Sequence, residues 1–300
     1  MAGIILVTGA AGKTGRAIIT ALLARNRSVR ALVYREEQAQ PLKSVGVDQV
    51  KVGDMRSDAT IRDAVRGVEA IYHICPNVDP DELSIGRTII SNARASGIRH
   101  FVFHSVLHPQ VELMPHHWLK LRVEEALLES NLPFTVLQPA AYMQNVLSQL
   151  EEMVERGIYS VPYSPEAPMS LVDLDDVAQA AATVLCEPGH VGSIYELAGP
   201  EVLTPREIAA AIGNRLGRDV RAEQTSIENW RRQAEGSGLG RYRIETLAKM
   251  FHYYDRYGLW ANSRILRNLI GRSPTTFHEF IERTLRERQS QNKILRSKEL

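Results

Sequence analysis

Short apolar runs alternate with amphipathic stretches along the first two thirds of the chain. The runs Ile4–Val7, Ser28–Tyr34, Gln49–Val52, Ala70–Ile74, His100–His104, Phe134–Leu137 and, late, Ile194–Leu197 predict strands. Near-continuous apolar character predicts strands buried on both faces, as in a parallel sheet. Between them, Arg16–Arg25, Ala59–Val65, Leu83–Ala95 and Leu119–Glu129 carry apolar residues at helical spacing. Alternation of strand and helix predicts a parallel sheet with helices on both faces. Ligands of such sheets bind outside the C-terminal ends of the strands, and those ends are where chemistry is sought.

The first strand runs directly into Thr8-Gly9-Ala10-Ala11-Gly12-Lys13-Thr14-Gly15, so three glycines occupy a strand-to-helix turn. A dinucleotide pyrophosphate docks on backbone N–H groups at a helix N-terminus, and a Cβ at those positions holds it away. The expected cofactor contacts here are Thr8, Gly9, Ala11, Gly12, Lys13, Thr14 and Gly15. Gly12-Lys13-Thr14 also resembles the end of a nucleoside-triphosphate loop. That loop needs a glycine five residues before Gly12, where this chain has Val7. Lys13 reads as a cation beside a dinucleotide phosphate or as an exposed lysine of the first helical turn. The fold class expected is α/β, a doubly wound, mostly parallel Rossmann sheet with a small, mainly helical C-terminal lobe.

The second strand bears on the choice of dinucleotide. NAD sites place an acid at its end to accept from the ribose 2′-OH. Here the strand ends in Tyr34, and Arg35 follows. A guanidinium suits a 2′-phosphate through charge-assisted hydrogen bonds. NADP(H) is therefore the preferred cofactor, with NAD(H) still open through Glu36 and Glu37. After the third strand, Asp54 is positioned to accept from an adenine amino group or to cap the following turn, with Met55 beside it. After the fourth, Cys75 and Pro76 flank the pyrophosphate by topology, Cys75 reading as a small packed residue.

In hydride-transfer enzymes of this general shape, a lysine one turn into the helix after the fifth strand holds the nicotinamide ribose, and the residue four positions earlier donates a proton. Those positions are Lys120 and His116. An imidazole with a pKa near 7 suits the acid role. After the sixth strand, Tyr142, Met143 and Asn145 are expected to line a substrate cleft. His73, His100, His104, His108, His116 and His117 cluster in sequence, but no carboxylate or thiolate completes a ligand set, so no metal site is expected.

Composition narrows the function classes. The chain has 300 residues, 44% hydrophobic and 24% charged, ordinary for a globular protein, with a net charge of +1. No field favours a polyanion, so nucleic acid is not an expected partner. Two cysteines, Cys75 and Cys186, form no disulfide framework. No apolar run approaches a membrane span and no targeting segment opens the chain, so the cytoplasm is the expected compartment.

Together these residues resemble the NmrA-like family, an atypical branch of the short-chain dehydrogenase/reductases. The resemblance is carried by Val7-Thr8-Gly9 with the glycine turn, Gly53-Asp54, and His116-x-x-x-Lys120 with Val123-Glu124. It continues in Thr135-Val136-Leu137-Gln138-Pro139 with Asn145, Val172-Asp173-Leu174-Asp175-Asp176-Val177-Ala178, and Tyr195-Glu196-Leu197-Ala198-Gly199-Pro200. It implies a Rossmann core over residues 1–150, with 170–200 returning to the sheet. It further implies a substrate or partner lobe over 151–169 and 201–282 and a charged tail over 283–300. The resemblance adds Pro139 and Tyr142 to the cofactor contacts, Trp118 to the cleft and Ser105 to a catalytic set of Ser105, His116 and Lys120. Classical members use Ser, Tyr and Lys; here His116 stands at the tyrosine position. Family members include NADPH-dependent reductases of quinones and dyes and non-catalytic sensors of NADP(H). The expectation is an NAD(P)H-dependent oxidoreductase reducing a small, flat apolar acceptor such as a quinone or aromatic carbonyl. The alternative is an NADP(H)-sensing regulator that binds partner proteins. The expected partner is thus a small-molecule acceptor or a regulatory protein, without nucleic acid or membrane, and with a homodimer as an open assembly.

Overall fold

The structure is a computed structural model that describes residues 3–298, with side chains through residue 290. Residues 1–2 of the expected core and 299–300 of the expected tail lie outside the described residues. The strands are β1 (Ile5–Val7), β2 (Val29–Val33), β3 (Gln49–Val52), β4 (Ala70–His73), β5 (His100–His104) and β6 (Phe134–Pro139). They continue as β7 (Ala141–Tyr142), β8 (Ile158–Val161), β9 (Met169–Val172), β10 (Ser193–Leu197), β11 (Val202–Leu203) and β12 (Arg221–Gln224). Seven of them form one sheet in the order β10-β6-β5-β4-β1-β2-β3. Every pairing in it is parallel. The direction of winding reverses between β1 and β4, which places a ligand crevice at their C-terminal ends.

The helices of the core are α1 (Lys13–Ala24), α2 (Ala39–Ser44), α3 (Asp58–Val65), α4 (Glu82–Ala95) and α5 (Pro115–Leu128). Strand alternation sorts them onto two faces. Ile5 and Val7 point to one cluster with Ile18, Ile19 and Leu22 of α1. Leu6 points to the other, with Ile61 of α3, Ile89 of α4 and Val123 of α5. Phe101 and Phe103 in that second cluster are fully buried, each worth about 1.5–3 kcal/mol relative to exposure. Pro115 opens α5 at its first turn, one turn before the expected start, because fixed φ suits that position and its missing N–H costs nothing there. His116 and Lys120 therefore share one helix.

Beyond β7 come α6 (Leu150–Arg156), α7 (Leu174–Cys186), α8 (Pro205–Leu216), α9 (Ile227–Gly236), α10 (Arg241–Tyr257), α11 (Arg264–Ile270) and α12 (Phe277–Lys298). The region is mainly helical, as expected. It also holds two small sheets that the sequence pattern did not reveal, β11-β9-β7 and the parallel pair β12-β8. Ile208 and Ile212 of α8 pack with Phe277, Phe280 and Ile281 of α12 over Met143 and Val146. The start of α7 anchors the C-terminal segment. Asp176 Oδ2 accepts from the Thr275 N–H at 2.6 Å, and Asp173 Oδ2 accepts from Arg283 at 2.7 Å. Asp176 also pairs with Arg272, and in both ion pairs the carboxylate is buried while the guanidinium is part-exposed.

Candidate functional site

The three glycines do three different jobs. Gly9 has φ +59°, a conformation that favours glycine, and a Cβ there would stand 3.0 Å from the Ile74 carbonyl oxygen. Gly15 lies so close to the strand that a Cβ would overlap the Gly9 carbonyl oxygen and the Ala10 backbone. Gly12 is exposed and faces open space, with only the Gly9 carbonyl oxygen near a built Cβ, at 3.3 Å. Gly12 also heads α1 without a side-chain cap, and no acid occupies the first turn. The free N–H groups and the positive end of the helix are thus aimed at a surface that any side chain would fill. This cradle fits a pyrophosphate. Thr8 braces the turn from inside: its hydroxyl donates to the Ile74 carbonyl at 3.0 Å and meets His73 Nδ1 at 2.9 Å.

At the end of β2, Gln38 Oε1 accepts from the Tyr34 and Arg35 N–H groups at 3.1 and 3.0 Å. The turn thereby exposes the Arg35 guanidinium, which rests 3.0 Å from the exposed Glu37 carboxylate. Such an exposed pair is worth little and yields readily to a phosphate. Asp54 Oδ1 accepts from the Arg56 N–H at 2.9 Å, which is a turn-capping contact. Arg56 spans Asp79 at 2.6 Å and Asp81 at 2.7 Å, tying the loop after β3 to the loop before α4. Met55 packs half-buried against the second core cluster, and Pro76 is likewise half-buried.

The ends of β4, β5 and β6 converge on His104. The Lys120 ammonium sits 2.8 Å from Glu82 Oε1 and 3.4 Å from the His104 carbonyl oxygen. Burial alone would lower the Lys120 pKa, but the Glu82 carboxylate outweighs it and holds the ammonium above its ordinary value. The His104 ring links Tyr72 OH, 2.7 Å from Nδ1, to Tyr142 OH, 2.6 Å from Nε2. Thr14 Oγ1 lies 3.5 Å from the same Tyr142 hydroxyl. The Lys13 ammonium lies 5.5 Å from the Tyr142 ring centroid and donates to Asn145 Oδ1. Thus Lys13, Thr14, Tyr142 and Asn145 meet at one place, although 132 positions separate Lys13 from Asn145. Pro139 ends β6 beside them, and its carbonyl accepts from the Leu107 N–H at 2.9 Å.

Several expected side chains stand elsewhere. His116 does not have a pKa near 7: burial first, then His117 and Lys120, push it down to about 2. Its Nδ1 is buried without a partner, and its ring lies edge-on to His117 at 4.4 Å. Neutral imidazole in that setting carries no proton to give at pH 7 beyond its single ring N–H. Ser105 is buried and its hydroxyl donates to Glu124, which also accepts from Gln138 at 3.0 Å. The serine thus supports a buried carboxylate instead of facing the cleft. Met143 is 1% exposed and belongs to the core under α8 and α12, so it does not line the cleft. Trp118 is half-buried on α5. Cys75 is buried, and burial together with Glu82 drives its thiol pKa up, as suits a packed residue.

Tyr72, Glu82, His104 and Glu124 were not singled out as site residues. Tyr72 and His104 lie within strand runs that read as core, and Glu82 and Glu124 read as helix-surface acids; no spacing in sequence distinguishes them. Among the described residues, no three His, Cys, Asp or Glu side chains gather into a metal set, and no helix is long and apolar enough to cross a membrane.

A parallel sheet that reverses direction over a glycine turn, with an uncapped helix at the crevice, defines a dinucleotide-binding Rossmann protein. The chain belongs to the NmrA-like family, whose model matches residues 1–281. It is 28% identical over 278 residues to an NAD(P)H azoreductase of Xenophilus azovorans, covering 92% of this chain and 96% of that one. Among solved structures, it resembles the NADPH-dependent quinone oxidoreductase QOR2 of Escherichia coli complexed with NADPH. The TM-score is 0.83 at 26% identity, covering 94% of this chain and 99% of that chain. It also resembles the triphenylmethane reductase of Citrobacter sp. complexed with NADP(H), with a TM-score of 0.83 at 26% identity, over 93% and 99% of the two chains.

Proposed function

We propose that this protein is an NADPH-dependent oxidoreductase that delivers hydride to a small, flat apolar acceptor of the quinone or aromatic carbonyl type. The observation that carries the reading is the Gly12 cradle at an uncapped helix start, next to a strand end that offers Arg35 in place of an acid. NADPH supplies the hydride. The residues of this chain would bind and orient it: the free N–H groups of Lys13 and Thr14 would hold the pyrophosphate, while the Gly12 N–H closes the turn onto the Gly9 carbonyl at 3.1 Å, Arg35 would take the 2′-phosphate, and Asp54 the adenine amino group. Lys120 holds the nicotinamide ribose, its charge kept in place by Glu82. The named activities of the azoreductase and the quinone oxidoreductase support this reading. The acceptor class rests on the apolar ring of Tyr142 at the cleft.

The test is NADPH oxidation by the 300-residue chain with benzoquinone, naphthoquinone, an azo dye and an aromatic aldehyde. Turnover of any of them supports the reading. If none is reduced while NADPH binds and changes the oligomeric state, the protein is a cofactor-sensing regulator instead.

A further inference from the structure

Tyr72 is fully buried, and among the described residues the one hydrogen-bond partner of its hydroxyl is His104 Nδ1, at 2.7 Å. A buried hydroxyl that cannot donate costs about 1–3 kcal/mol. Tyr72 therefore donates its proton to Nδ1. A neutral imidazole with an acceptor Nδ1 carries its hydrogen on Nε2. The Nε2–H then donates to the oxygen of Tyr142, 2.6 Å away. Burial, with Lys120 and His73 adding to it, keeps His104 neutral by lowering its pKa to about 3, so this tautomer holds across the physiological range. Thr14 Oγ1 lies on the same Tyr142 oxygen at 3.5 Å, and the Lys13 ammonium faces the ring. The Tyr142 oxygen thus receives a hydrogen bond from His104, and among the described residues the one acceptor within reach of its own proton is the Thr14 hydroxyl, at the long distance of 3.5 Å, which leaves that proton weakly held. Tyr142 is half-buried beside the glycine turn, where Thr14 and Lys13 approach it, and its partner His104 also offers its carbonyl to Lys120.

We propose that Tyr142 is the proton donor of this protein, taking the part for which His116 was expected, and that Tyr72 and His104 are positioning residues that set its direction of donation. The inference rests on the oxidoreductase reading above and deepens it. Hydride carries two electrons to one end of the acceptor's conjugated carbonyl system, and the C=O π pair moves onto oxygen. The Tyr142 O–H bond breaks as an O–H bond forms on that oxygen. Burial raises the Tyr142 pKa, and the hydrogen bonds from His104 and Thr14 offset part of that cost for the phenolate left behind, which regains its proton from water.

The experiment has a structural and a kinetic arm on the full chain. Nitrogen-15 NMR of the cofactor-free protein is expected to show His104 as the Nε2–H tautomer, shifting toward a mixture in Tyr72→Phe. In the kinetic arm, Tyr142→Phe is expected to lower kcat on the aromatic aldehyde by about 10²–10⁴-fold with NADPH affinity within about twofold. His104→Gln, which retains a donor, is expected to recover part of the loss seen in His104→Leu, with the pH profile of kcat displaced in the latter. An Nδ1–H tautomer in the wild type overturns the proposal, whatever the variants do. Wild-type turnover with an undiminished Tyr142→Phe overturns it and leaves the oxidoreductase reading standing. Absence of wild-type turnover on every acceptor overturns both.

Discussion

Lys120 Nζ lies 2.8 Å from Glu82 Oε1, with side-chain exposures of 15% and 2%. This pair joins the start of α4 to the middle of α5 behind the candidate cofactor site. Removing one partner of such a pair strands a charge out of water. Glu82→Ala is expected to destabilise the protein by about 3–5 kcal/mol, whereas Glu82→Leu combined with Lys120→Met is expected to fall nearer the wild type. Urea unfolding of the three variants checks this. The raised Lys120 pKa adds a sign: its stabilising contribution is complete below about pH 10.4 and is lost as pH climbs through the folded value.

The same lysine distinguishes cofactor handling from acid catalysis. Lys120→Ala is expected to reduce NADPH-dependent quinone turnover more than His116→Ala, whose loss is expected to stay below about tenfold, under the range usual for a lost acid. Steady-state kinetics with one quinone and both variants decides it. Equal losses would assign His116 a direct part.

The glycine turn predicts opposite outcomes for neighbouring substitutions. Gly12→Val is expected to leave the fold intact and abolish dinucleotide binding, because the space it fills is outside the protein. Gly15→Ala places a Cβ against the Gly9 carbonyl and Ala10 and is expected to cost about 1–3 kcal/mol of stability. Circular dichroism melts paired with cofactor fluorescence titrations separate the two. Normal NADPH binding by folded Gly12→Val would refute the phosphate-cradle reading.

Arg35 predicts cofactor preference. NADPH is expected to bind about ten- to a hundredfold more tightly than NADH, and Arg35→Ala to erase most of the difference, the equivalent of about 1.5–3 kcal/mol in one charge-assisted contact. Titrations of both cofactors against both proteins measure it. Equal wild-type affinities would be incompatible with the assignment.

Buried histidines predict acid lability. Burial lowers the pKa of His73 and His104 to about 3, of His100 and His117 to about 4, and of His116 to about 2. An unfolded histidine titrates near about 6.5. Between those values the unfolded chain binds more protons than the folded one, so stability falls as pH drops below about 6.5. Each group contributes a slope of up to about 1.4 kcal/mol per pH unit. Denaturant unfolding from pH 7 to pH 4.5 is expected to show this decline. His100→Gln, which removes one titrating ring beside Thr135, is expected to reduce the slope by about one proton.

What was legible in the sequence was what nearest neighbours along the chain determine. Runs of strand length marked all seven strands of the main sheet: the five inner strands are buried on both faces and require near-continuous apolar side chains, whereas the edge strands β3 and β10 are only partly buried and carry polar residues. The spacing of Gly9, Gly12 and Gly15 marked the phosphate turn, because the positive φ of Gly9 favours glycine and the backbone approach at Gly15 leaves no room for a Cβ. Tyr34-Arg35 pointed to NADP(H) for the same local reason. Short pairings such as β8 with β12 were not legible, since β12 is a charged segment that joins a strand far from it in sequence only through tertiary packing. The catalytic side of the site was decided by the fold alone. Ser105 and Met143 have suitable identities and positions, yet Glu124 and the α8–α12 core claim them. Tyr72, His104 and Tyr142 come from three strands and meet at distances of 2.7 and 2.6 Å. Spacing along one chain segment cannot encode such a meeting; the parallel pairing of β4 with β5 brings Tyr72 and His104 together, β7 carries Tyr142 back over the strand ends, and burial bears on which of those groups keeps or gives a proton.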